Sequence, residues 1–191
     1  MGYLEFWPWA VVIAGGIVAA ITDIRERKVY NWLTYPLCVG GLVYHAIFSG
    51  WGGFAASVAG LLFGFFIVLI PCFMGGVGAG DVKLMAAIGA WLQVPDVIWV
   101  FIFAGLAIGV WSVGILWVRK MSLRAVREQI EGMVYRLLLL NQYVASGQTM
   151  QSHEGDRGRL VPFAVFIAAA VAVYAGLAYS EHLPHWIRSS A

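Results

Sequence analysis

The stretch "VYNWLTYPLCVGGLVYHAIFSGWGGFAASVAGLLFGFFIVLIPCFMGGVGAG", Val29 to Gly80, runs for 52 residues without an aspartate, glutamate, lysine or arginine. A membrane crossing needs about 20 apolar residues to traverse a hydrocarbon layer of about 30 Å, so this block is long enough for two. Its natural break is "SGWGG", Ser49 to Gly53, where glycine and serine cluster and a tryptophan suits an interface.

The rest of the chain extends the pattern. Phe6–Thr22, Val97–Val118 and Leu160–Ser180 are also free of charge. Between Asp81 and Asp96 lies a shorter apolar segment, Val82–Val94; at about 1.5 Å per residue it would reach only about 20 Å as a helix. Over 191 residues, 61% are hydrophobic and 12% charged, against about 25% charged in soluble proteins. The expected fold is therefore an all-α polytopic membrane protein with about six transmembrane helices, at Phe6–Thr22, Trp32–Phe48, Phe54–Phe73, Val82–Val94, Val97–Val118 and Leu160–Ser180.

Basic residues orient it. With the N-terminus outside, Arg25, Arg27, Lys28, Lys83, Arg119, Lys120, Arg124, Arg127, Arg136, Arg157 and Arg159 all fall on the cytoplasmic side, leaving Arg188 outside. That asymmetry follows the positive-inside rule and predicts an N-out, C-out protein of the cytoplasmic (inner) membrane. The first apolar segment has no basic region before it and no small-residue cleavage site after it, so it reads as a retained span. The net charge of +2 is explained by topology and gives no support to nucleic-acid binding.

One long polar segment, 119–159, lies between the last two spans. Its first half, "RKMSLRAVREQIEGMVYRLLLL", places Val126, Ile130, Met133 and Leu137 at helical spacing, which predicts a cytoplasmic amphipathic helix. Its second half is rich in turn formers and reads as a loop. No internal repeat is visible, and the expectation is a single membrane domain over residues 1–191. Cys38 and Cys72 fall in predicted spans without a C-x-x-C pair, so they read as small buried side chains.

Most of the ten acidic residues lie beside basic partners or at span ends, and Asp96 reads as part of a "VPD" turn. Asp23 and Asp81 differ. Asp23 ends the first span and Asp81 opens the fourth; the two crossings between them return the chain to the same face, so both carboxyls belong at the cytoplasmic edge. Two carboxyl groups sharing a site tend to hold a single proton, so that one takes a proton from water while the other donates to a carbonyl oxygen. The alternative is a pair of structural ion pairs, Asp23 with Arg25 or Arg27 and Asp81 with Lys83. Charge placement alone leaves both readings open. The glycines tilt the balance: Gly75, Gly76, Gly78 and Gly80 disfavour helix, and irregular backbone at membrane depth is tolerated where it lines a hydrated cavity or is buried in protein.

"GAGD" at Gly78–Asp81, followed by "VKL", resembles the G-x-G-D motif of the type IV prepilin peptidases, relatives of archaeal preflagellin peptidases and presenilin. "ITDIRERKVYN", Ile21–Asn31, is similar to that family's first motif, with Tyr30 where its triplet usually has proline. "VPFAVFIA", Val161–Ala168, looks like the proline-aromatic opening of its last span. The resemblance implies Asp23 and Asp81 as catalytic aspartates and Gly78 and Gly80 as loop-shaping residues. It also implies cleavage of a prepilin leader at the cytoplasmic face, with no metal or organic cofactor. Only five residues precede the first span, so the chain resembles the short, peptidase-only form of Flp-type (tight-adherence) pili, and methyltransferase activity is not expected.

Lys83 could contact substrate or snorkel to the interface. His45 reads as a polar contact between helices, and "HLPH" at His182–His185 lacks zinc-site spacing. The rival functional readings are a small ion-coupled transporter with both aspartates in a cation path, and a noncatalytic scaffold.

Overall fold

The computed structural model describes residues 3–26, 28–73, 77–118, 131, 134 and 163–181. The described residues form helices α1 (Tyr3–Glu26), α2 (Asn31–Phe73), α3 (Ala79–Val118) and α4 (Phe163–Glu181), and no strand. The expected amphipathic helix and loop between the last two spans fall almost wholly outside the described residues, as do Gly75 and Gly76.

Two of these helices are each interrupted by one residue with positive φ. Gly50 breaks α2 (φ 62°, ψ −156°), inside the break expected at Ser49–Gly53. Glycine reaches that conformation without steric cost. Gln93 breaks α3 (φ 63°, ψ −175°), where a side chain makes the backbone unfavourable. The expected turn at "VPD" is thus corrected: the break comes at Gln93, and Pro95 and Asp96 already belong to the helix that follows. Proline suits that place because the N–H it lacks would have no partner in a first helical turn. We write α2a and α2b for 31–49 and 51–73, and α3a and α3b for 79–92 and 94–118.

Contacts show that the chain reverses at both breaks. Lys83 meets Asn31 and Trp91 meets Leu37 and His45, so α3a runs parallel to α2a. Ser57 meets Ala90, Gly60 abuts Gly89 and Gly64 abuts Met85, so α3a runs antiparallel to α2b. Likewise α4 is antiparallel to α1, through Trp9–Tyr174 and Asp23–Ala164, and to α3b, through Asp96–Tyr174 and Trp111–Phe166. The result is six helical segments in two layers of contact, α2a/α2b/α3a and α1/α3b/α4.

The first group is built around small residues. Thr34, Gly41 and His45 on α2a, and Ser57, Gly60, Gly64 and Val68 on α2b, are the buried positions of α2. They recur at the three- and four-residue steps of one helix face. Between them α3a is almost entirely enclosed, with Leu84, Met85 and Ala90 at 0% exposure. A Cβ built on Gly64 would lie 2.5 Å from the Met85 carbonyl oxygen, and one on Gly60 or Gly89 would overlap the facing backbone. Such close backbone approach is how helices gain packing contact where lipid removes the hydrophobic driving force.

Several polar side chains inside this group are paired. Ser57 Oγ donates to Ala90 O (2.6 Å) and Trp91 Nε1 donates to Leu37 O (2.8 Å). Gln93 Nε2 donates to His45 Nδ1 (3.1 Å), which leaves the proton on Nε2 to be donated to Trp91 O (2.9 Å). The reversal at Gln93 is therefore held by its own side chain. His45 serves as the interhelical contact expected of it.

The outer surface is strongly apolar: Ile47, Trp51 and Val110 are 70%, 85% and 74% exposed. A soluble protein does not leave so many large apolar side chains in water. The spans Trp7–Glu26, Asn31–Phe73 and Ala79–Gly114 are long and apolar enough to cross a membrane, and Phe163–Ala178 is a shorter apolar helix. This is a membrane protein.

Gly89→Ala overlaps the Gly60 backbone and should cost about 1–3 kcal/mol. Gly105→Ala, where a Cβ meets nothing within 4 Å, should be neutral or slightly stabilising. Thermal unfolding in detergent checks the pair: the Gly89 variant melts well below wild type and the Gly105 variant does not.

Candidate active site

Three short pieces of chain bring the two singled-out aspartates to one end of the molecule. Asp23 lies one turn before the end of α1. The connector 28–30 then leads directly into α2, with the Tyr30 carbonyl accepting Leu33 N–H (3.1 Å) and Thr34 N–H (3.2 Å) as its cap. The Tyr30 hydroxyl donates to Glu26, tying the connector back to α1. Gly80 packs on this connector so closely that a Cβ there would sit 2.9 Å from Val29 Cβ. The start of α3, and Asp81 with it, is thereby seated beside the end of α1.

Asp81 begins α3 in a reciprocal cap. The Gly78 carbonyl accepts from Asp81 N–H (3.1 Å) and Val82 N–H (3.4 Å), and the Gly78 N–H donates back to Asp81 Oδ2 (3.2 Å). This is a capping-box arrangement with glycine as the cap and aspartate in the third helical position. A Cβ on Gly78 would stand 3.3 Å from Asp81 Oδ2, so glycine keeps the carboxyl clear.

Capping explains one oxygen of Asp81 and not the other. Asp81 is 7% exposed, and its Oδ1 is buried with no hydrogen-bond partner among the described residues. A buried polar atom without a partner is expensive and uncommon, and it calls for a reason. Lys83 does not supply the partner: its ammonium donates to Asn31 Oδ1 (2.9 Å) and lies over the Tyr35 ring, 5.5 Å from the centroid. The Asp81–Lys83 ion pair considered from the sequence is not formed.

Asp23 is equally enclosed, at 8% exposure, and its Oδ2 accepts the backbone N–H of Ala164 (3.3 Å) at the start of α4. The first N–H groups of a helix have no partner within it and carry the positive end of its dipole, so a carboxylate is well placed there. The charges of Asp23 and Asp81 act on each other. The Gly64–Met85 register, continued along α2b, brings Val68 to the level of Asp81 and Cys72 one turn beyond it, and the charge of Asp81 also reaches Cys72. No group of three or more histidine, cysteine, aspartate or glutamate side chains suited to a metal occurs among the described residues.

Of the residues singled out in the sequence, Asp23, Asp81, Gly78 and Gly80 come together, and Lys83 sits at their edge on Asn31. Asp96 stands apart, half-buried and accepting the Tyr174 hydroxyl (2.9 Å). The sequence reading missed Ala164, whose contribution is a backbone N–H. The only hint was the proline-aromatic opening of the last span, which marks where a helix starts.

Two buried carboxyl groups, near enough for the charge of one to bear on the other, thus lie at the glycine-rich end of a helical membrane protein. The Type IV leader peptidase family matches residues 10–113, which include both aspartates, and the chain belongs to that family. It is 35% identical over 118 residues to a Prepilin leader peptidase/N-methyltransferase of Burkholderia pseudomallei (strain K96243), covering 52% of this chain and 37% of that protein. It is 33% identical over 104 residues to the Bacillus subtilis (strain 168) protein of the same name, covering 53% and 41%. The chain thus spans about two-fifths of the length of these curated relatives. No solved structure matches.

A carboxylate kept for function and not for stability has a thermodynamic signature. Asp81→Asn replaces a partnerless buried oxygen that can bear charge by a neutral amide, so its unfolding midpoint should be no lower than that of wild type. A clear drop in midpoint would assign Asp81 a structural role instead.

Proposed function

We infer that the protein is an aspartic endopeptidase that cleaves the leader from type IV prepilins at the cytoplasmic face of the inner membrane. The observation that carries this reading is the Asp81 carboxyl, buried within reach of the charge of Asp23 and with one oxygen unpartnered among the described residues. Family membership and the names of the relatives support the substrate class. The alternating directions of the six segments suit six crossings with both termini outside, which would set the Asp23 and Asp81 end at the cytoplasmic edge.

In this reading the substrate's apolar helix lies in lipid beside the enzyme, with the scissile bond at the inner interface. A water between Asp23 and Asp81 attacks the peptide carbonyl, one carboxylate takes the water's proton, and the other carboxyl, protonated, gives its proton to the carbonyl oxygen. The tetrahedral intermediate then collapses and the leaving amine takes the proton held by the base. Gly80 seats the α3 start on Val29, Gly78 leaves the backbone just before it open to a locally extended substrate, and Lys83, held by Asn31, stands where the flanking residues of the substrate would pass. No metal or organic cofactor has a part in these steps. The Flp-type prepilins suggested by the resemblance are the first substrates to try.

Co-expression with a prepilin tests the reading. Asp23→Asn and Asp81→Asn should each abolish leader removal at matched membrane levels, whereas Asp96→Asn should retain it to within a few-fold. Full processing by either of the first two variants would refute the dyad.

A further inference from the structure

The two aspartates are not equivalent in their surroundings, and the difference assigns them separate tasks. We propose that the N-terminus of α4, through the Ala164 N–H, positions Asp23 as the base of the reaction, while Asp81 is the acid and carries the shared proton on Oδ1. This rests on the peptidase reading above and goes beyond it, because a dyad by itself leaves the two roles interchangeable.

The argument starts from hydrogen-bond supply. Asp23 Oδ2 takes the Ala164 N–H at 3.3 Å, at the positive end of a 19-residue helix. Asp81 Oδ2 takes the Gly78 N–H at 3.2 Å. Each therefore has a backbone donor, and the distinction lies in the remaining oxygen of Asp81. Oδ1 is buried and has no donor among the described residues, so an ionised Asp81 would place negative charge on a buried oxygen that no described protein group stabilises. If Oδ1 carries hydrogen instead, it needs only an acceptor. A substrate carbonyl arriving in the site is one. With a single proton to share, the pair holds it where the missing donor is supplied by the proton itself.

The reaction then runs in one direction. The Asp23 carboxylate removes a proton from water as the water oxygen bonds to the carbonyl carbon. Asp81 Oδ1–H passes its proton to the carbonyl oxygen, giving a neutral gem-diol and leaving Asp81 ionised. As the carbon–nitrogen bond breaks, Asp23 returns its proton to the amine nitrogen and a gem-diol hydroxyl reprotonates Asp81. The products are one carboxylic acid and one amine, with both aspartates restored. Ala164 touches no reacting atom and acts as a positioning residue.

Two measurements test this. The first is infrared spectroscopy of full-length enzyme labelled at aspartate carboxyl carbons, in an Asp96→Asn background that removes the half-buried carboxyl on Tyr174. The carbonyl band of a neutral carboxylic acid should persist with Asp23→Asn and vanish with Asp81→Asn; a band that survives Asp81→Asn puts the proton on Asp23 and overturns the assignment. The second is the kinetics of Ala164→Pro, which deletes the donor at a position in the first helical turn, where proline is tolerated. Its kcat on a prepilin should fall roughly ten- to a hundredfold, the worth of one hydrogen bond to a charged group, with KM within about twofold. An unchanged kcat overturns the role of Ala164. The infrared result needs neither substrate nor a folded Ala164 variant. Failure of the peptidase reading appears differently, as a wild-type enzyme that cuts no prepilin.

Discussion

The close approach of backbone to backbone between α2b and α3a is the constraint on which the rest of the structure depends. Gly60 against Gly89 and Gly64 against the Met85 carbonyl let α3a lie against both halves of α2 with almost no surface left to lipid. A helix enclosed in this way can carry a carboxyl at its first turn without exposing it to hydrocarbon. It also holds that carboxyl in one place, since Asp81 is tied to Gly78 and the α3 start abuts Val29. Asp23 is fixed by a different set of neighbours, through Ala164 and the α1/α4 contact. Each aspartate is thus anchored in a different group of helices, and the site exists where the two groups meet.

In the proposed reaction this division has a chemical use. Groups that must share a proton gain from being held close while their other hydrogen bonds remain distinct, because the difference sets which one gives and which one takes. The Oδ1 of Asp81, without a partner among the described residues, is costly in the folded state and has no structural purpose in the cap. Such uncompensated polar atoms are where stability has been given up for activity. Lys83, two residues on and on another face of α3, is directed to Asn31 and Tyr35.

Much of this was legible in the sequence because membrane crossings are written in runs of uncharged residues. The break at Gly50 fell inside "SGWGG", and parity of crossings put Asp23 and Asp81 on one side before any contact was known. The reversal at Gln93 was not legible, since glutamine seldom adopts positive φ; it is held there by His45, 48 residues away in sequence. Asp96 was read as a turn residue for the related reason that Pro95 can end one segment or open the next. Ala164 was invisible because its contribution is a main-chain N–H, which any residue except proline would supply. The pairing of Ser57 with Ala90 and of Trp91 with Leu37 was hidden in the same way, each being a side chain that meets a carbonyl.

The most direct test of the central claim, that Asp23 and Asp81 work as one catalytic unit, is a double-mutant comparison of leader cleavage by purified enzyme in lipid. Members of one unit are strongly non-additive, so kcat/KM should fall by orders of magnitude in Asp23→Asn and in Asp81→Asn, and the double variant should be no slower than either. Losses that multiply in the double variant, or substantial activity left in either single one, would contradict the account.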